Sequence, residues 1–75
     1  MTFEQDATAK NSEGMRLMRD GDFAGALKLF DEAIRLNPEY FLAYYWRGLA
    51  HRALGNSIEA ERDFATAKEL GYEAP

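Results

Sequence analysis

A chain of 75 residues carries one domain at most, and its core has only a few kcal/mol to offer beyond folding. With no cysteine, disulfides and thiolate metal sites are excluded, and a reducing cytoplasmic setting is the expectation. The formal charge is −4 and the basic residues are scattered, which argues against nucleic acid as partner; Met1 to Asp6 does not read as a secretory signal, and no apolar run approaches the roughly 18 residues of a membrane span.

In chain order, Thr2-Phe3-Glu4-Gln5 has the form of a capping box, so a first helix is expected to begin near Phe3. It should stop at Asp20, because Gly21 suits the left-handed turn after a helix. Asp22 then caps a second helix over about Phe23 to Leu36. Asn37-Pro38 should close that helix and open the third, with Asn37 as its cap. The third is expected to run to about Leu54 before Gly55. Asn56-Ser57-Ile58-Glu59 reads as another capping box, starting a fourth helix that reaches about Leu70. The connections are short, so neighbouring helices should pack antiparallel.

Shifting the chain against itself by 34 residues places 7–40 on 41–74. The pairs Ala9/Ala43, Gly14/Gly48, Gly21/Gly55, Ala26/Ala60, Phe30/Phe64, Ala33/Ala67, Leu36/Leu70 and Glu39/Glu73 are then identical. Such a period signals stacked supersecondary units. The second unit carries Tyr44-x2-Arg47-Gly48-x2-His51, Gly55-Asn56 and Ala60-x3-Phe64-x2-Ala67. The first carries Gly14-x2-Leu17, Gly21-Asp22-Phe23, Ala26-x3-Phe30-x2-Ala33 and Pro38. This pattern resembles the tetratricopeptide repeat family. The resemblance implies an all-α fold of two helix-turn-helix repeats, four antiparallel helices in a short right-handed α-solenoid. It makes residues 1–75 a single domain, with repeat one at 7–40 and repeat two at 41–74. Departures lie at Lys10, Glu13, Arg47, His51, Ser57 and Glu61, where the family usually has apolar residues, and at Tyr72, in place of its proline.

Residues 23–36 are apolar on more than one face, as suits a helix buried between neighbours. In the fourth helix Ser57, Glu61, Asp63 and Lys68 replace Phe23, Leu27, Leu29 and Ile34, leaving a narrow stripe at Ala60, Phe64 and Ala67. The fourth helix therefore reads as a solvent-facing cap and the chain as a complete short array.

The third helix is apolar almost all round. Ala43, Arg47, Ala50 and Leu54 are expected to face the second helix, and Phe41, Tyr44, Gly48 and His51 the fourth. Leu42, Tyr45, Trp46 and Leu49, with Arg52 at the end, form a third stripe. The resemblance places this stripe on the concave groove, beside Thr8, Asn11, Ser12, Met15 and Arg19 of the first helix. Trp, Tyr and Arg dominate binding hot spots. The expected partner-binding residues are thus Asn11, Met15, Arg19, Leu42, Tyr45, Trp46, Leu49 and Arg52. With no acid in residues 40–58, they suit a protein or peptide bearing apolar and acidic groups. The plainer reading has the stripe as core, or covered by the N-terminal arm through Phe3. The family's carboxylate clamp for chaperone tails is not expected, since Asn11 is its only candidate here.

Catalytic chemistry is not expected. The single histidine, His51, has no cysteine, evident nucleophile or metal partner. Asp20-Gly21-Asp22 has a partial likeness to a calcium loop, but Ala24 and Lys28 stand where oxygen ligands belong. Neither a cofactor nor a metal is expected, and paired acids such as Asp31-Glu32 read as solvated surface. The leading reading is an adaptor that binds a peptide or partner helix. The alternative is a scaffolding homodimer that uses the same aromatic stripe twice.

Overall fold

The computed structural model describes residues 2–73 and contains four helices: α1 (Phe3–Arg19), α2 (Phe23–Leu36), α3 (Phe41–Ala53) and α4 (Ser57–Glu69). The start of α1 is a true capping box. The Thr2 hydroxyl accepts from the Gln5 amide at 3.1 Å, and the Thr2 amide donates to Gln5 Oε1 at 3.2 Å. Asp22 caps α2 by accepting from the Gly25 amide at 2.9 Å. The turns inside the two hairpins are copies of one another. Gly21 and Gly55 take φ of 86° and 83°, values that β-carbon sterics deny to most residues. Around them the Asp22 amide donates to the Leu17 carbonyl at 2.9 Å and the Asn56 amide to the His51 carbonyl at 2.8 Å, satisfying carbonyls that the helix ends leave free.

Two expected caps turn out differently. Asn37 ends α2 but does not begin α3; its Oδ1 accepts from the Glu39 amide at 3.2 Å, and Tyr40 is the residue that precedes α3. Asn56 stands at the head of α4 but makes no side-chain cap bond there, because its amide is turned to His51, with Asn56 Nδ2 and His51 Nδ1 3.3 Å apart.

α1 packs on α2, α2 on α3 and α3 on α4, with a lighter contact between α1 and α3. Ala7, Ala33 and Ala43 form one buried cluster, and Ala26, Phe30 and Ala50 another. Close approach within each hairpin rests on a glycine and a phenylalanine. A Cβ on Gly14 would stand 2.5 Å from Phe30 Cε1, and one on Gly48 2.7 Å from Phe64 Cε1. The two aromatic rings thus lie directly against bare backbone, a fit that any added carbon would disturb. Leu54, expected against α2, is 43% exposed just past the end of α3.

Candidate functional site

The stripe expected along α3 is divided by the structure. Adjacent positions on an α-helix point about 100° apart, so Tyr45 and Trp46 turn to different neighbours. Trp46 packs on the Ala26–Phe30–Ala50 cluster beside Leu17, Met18 and Leu27. Its remaining surface lines an open hollow of about 530 Å³ with Ser12, Met15, Arg16, Met18 and Arg19 of α1. Tyr45, Leu49 and Arg52 instead line a second hollow of about 810 Å³, completed by Phe64 and Lys68 of α4 and by Gly71, Tyr72 and Glu73 after it. Leu42 is half-buried and lines neither hollow. Of the residues expected to bind a partner, Met15, Arg19 and Trp46 therefore come together, and Tyr45, Leu49 and Arg52 come together elsewhere. The alternative cover for the stripe, the Phe3 side chain, lies outside the described residues.

Asn11 lines neither hollow and touches Met15 of the first. It is 2% exposed, and its amide nitrogen approaches Met15 Sδ at 3.6 Å, a weak acceptor. Its Oδ1 is buried with no hydrogen-bond partner among the described residues. Leaving a buried amide oxygen unpaired costs about 1–3 kcal/mol.

The second hollow has an aromatic wall. Tyr72, after the left-handed Gly71, lies over Tyr45 with ring centroids 4.5 Å apart and reaches Phe41 at 6.0 Å. Tyr45 meets Phe64 at 5.8 Å, and the Arg52 guanidinium sits 5.3 Å from the Phe64 ring centroid. Hydrogen bonding to Tyr45 and loss of hydration raise the Tyr72 phenol above its ordinary pKa.

The least foreseen group is an ion cluster on the other side of α3. Arg47 Nε and Nη2 donate to Asp63 Oδ2 and Oδ1 at 2.8 and 2.7 Å, and Nη1 donates to Asp31 Oδ1 at 2.9 Å. Asp63, expected on a solvated face, is only 5% exposed. Asp31 is likewise bonded rather than free, and Glu32 pairs with Lys10 at 3.1 Å. The sequence signal was available: an arginine in α3 with an acid sixteen residues away on each side, one on α2 and one on α4. The Asp63 hydrogen bonds raise the Arg47 pKa above its ordinary value, against the opposing effect of burial. A cation whose pKa is raised on folding contributes stability that is present below its unfolded-state value and is lost as pH rises through the folded one, here in strong alkali. His51 Nε2 lies 3.9 Å from Asp63 Oδ2 and the ring is mostly enclosed. Among the described residues no group of three His, Cys, Asp or Glu side chains is placed to hold a metal ion, and no helix is long and apolar enough to cross a membrane.

Paired helices repeated at a 34-residue offset, with matching turns and matching glycine–phenylalanine contacts, define a helical-hairpin repeat protein. The tetratricopeptide repeat profile matches residues 11–74, and the chain belongs to the tetratricopeptide repeat family. This family is a non-enzymatic interaction module whose repeats generally mediate protein–protein contacts. Similar stretches occur in the DnaJ homolog subfamily C member 3 of Gallus gallus, 37% identical over 76% of this chain, and in protein FlbA of Caulobacter vibrioides, 44% identical over 67%. An uncharacterized protein of Methanocaldococcus jannaschii is 40% identical over 69% of the chain. The matched stretches span 11%, 8% and 60% of those relatives' own lengths. No solved structure matches at the same stringency.

Proposed function

We propose that this chain is an adaptor that holds a peptide or helix of another polypeptide on the face shared by α1 and α3, in a cytoplasmic setting. The observation that carries this reading is Trp46. One side of its indole is anchored on the core and the other borders an open hollow beside Met15 and the cations Arg16 and Arg19. An anchored aromatic next to arginine is the arrangement from which binding hot spots are made. The ligand that suits it presents an apolar side chain next to a carboxylate. Tyr45, Leu49 and Arg52 line the separate hollow against α4 and Leu42 lines neither, so the surface proposed here is that of Met15, Arg19 and Trp46.

The test is selection of peptides from a random display library on the 75-residue chain, followed by affinity measurement on Trp46→Ala. Binding weakened about a hundredfold, as loss of a central hot spot implies, with the helical circular dichroism retained, supports the reading. Unchanged affinity removes Trp46 from the site. A homodimer using the same face is the competing arrangement, and it requires Trp46 to be buried against a second copy.

A further inference from the structure

The 34-residue offset relating the hairpins also shows what the second hairpin lacks. In the first, Ala26 and Phe30 lie against Ala50 and Trp46 of α3, and Ala33 lies against Ala43, with Met18 and Ile34 packed alongside. The same positions one repeat later are Ala60, Phe64, Ala67, Arg52 and Lys68. Ala60 and Ala67 are as buried as their counterparts, but Phe64 is only half-buried where Phe30 is fully enclosed. Phe64, the counterpart of the ring that α3 covers in the first hairpin, lines the 810 Å³ hollow with the Arg52 guanidinium 5.3 Å from its ring centroid. Its flanks have changed character, from Met18 to Arg52 and from Ile34 to Lys68. Arg52 stands one turn beyond Gly48 on α3 and Lys68 one turn beyond Phe64 on the antiparallel α4, so the two cations mark opposite ends of an apolar floor. Glu73 is the acid among the lining residues, past the Lys68 end.

We infer that this face receives one amphipathic helix of a partner protein, lying on α3 and α4 as α3 lies on α1 and α2, with carboxylates flanking its apolar stripe. Two observations fix the chemistry. The internal template shows the cover such a floor accepts: small residues with a large aromatic between them, at the spacing of Ala43, Trp46 and Ala50. The replacement of Met18 and Ile34 by Arg52 and Lys68 then calls for acids where α3 needs none. A second copy of this chain does not meet these demands. The helix that would continue the stack is α1, and its residues matching Ala43, Trp46 and Ala50 are Ala9, Ser12 and Arg16, which offer no large apolar group and bring a third cation to the pair. This docking face does not depend on the Trp46 hollow.

The probe is a labelled helical peptide of about four turns, with Ala, Trp and Ala at the α3 spacing and two Glu at each end. Its twin carries Lys in place of Glu. Fluorescence anisotropy on the 75-residue chain should show the Glu peptide binding at least about tenfold more tightly than the Lys peptide, as charge complementarity across an interface dictates. The double variant Arg52→Glu, Lys68→Glu should reverse that preference, with helical circular dichroism checking that the fold is retained although Arg52 lies over the Phe64 ring. Met15→Ala, on the other hollow, should leave the affinity within about twofold, since the two sites share no partner. Equal binding of the two peptides, or a preference that survives charge reversal, overturns the inference. Loss of binding on Met15→Ala with no effect of charge reversal also overturns it and assigns the peptide to the Trp46 hollow instead.

Discussion

The two hairpins use the same internal contact and end in different environments. Gly14 lies against Phe30 and Gly48 against Phe64, yet Phe30 is fully buried and Phe64 is not. The difference lies in the next helix. α2 is sandwiched between α1 and α3, whereas α4 has one helical neighbour among the described residues. The sequence follows: Phe23, Leu27, Leu29 and Ile34 on α2 become Ser57, Glu61, Asp63 and Lys68 on α4. In a stacked repeat protein the hairpin contact and the stacking contact are thus separable, the first written by glycine and phenylalanine and the second by the residues around them.

Truncating the two rings breaks the comparison most directly. Phe30→Ala should cost about 3–5 kcal/mol by urea unfolding and Phe64→Ala about 2, since the half-buried ring has less to lose. Equal costs would show that α3 adds little to the packing of Phe30. The ion cluster comes next. Asp63→Asn should cost about 2 kcal/mol, because Arg47 keeps a buried side with fewer charged bonds. Asp31→Asn, at the exposed end of the same arginine, should cost less than about 0.5 kcal/mol. A third pair sharpens the contrast. Gly14→Ala should destabilise by about 2 kcal/mol and Gly48→Ala by about 1, because Phe64 can swing toward the open hollow while Phe30 has nowhere to move. The smallest effect is spectroscopic. Hydrogen bonding to Tyr45 raises the Tyr72 pKa, so in ultraviolet titration one phenol should ionise above the ordinary range, and Tyr45→Phe should bring it back toward that range. By the same linkage, what this contact adds to stability is present below the unfolded-state pKa and fades as pH rises through the folded one.

Much of the fold was legible because local chemistry and tertiary packing agree. Thr2, Gly21, Asp22 and Gly55 each act as their residue types suggest, and α2 has the expected limits. The two misplaced caps have one cause, a polar side chain with two available partners. Asn37 serves the turn after α2 instead of the head of α3, and Asn56 turns to His51 instead of capping α4. Asp63 read as surface because an acid replacing Leu29 signals exposure until a cation on another helix is matched to it. The binding stripe reads as continuous from helical spacing alone. Tyr45 and Trp46 are neighbours in sequence but turn to different helices, and Phe64, Lys68 and Tyr72 join Tyr45 only after α4 folds back on α3.

The central claim is that the α1–α3 face around Trp46 is presented to a different polypeptide and not to a second copy. Sedimentation equilibrium of the 75-residue chain from about 1 to 200 μM tests it, a span that brackets weak self-association. A monomer across the whole range is the predicted result. A dimer already complete at the lowest concentration and lost on Trp46→Ala would contradict the claim and make this face its own partner.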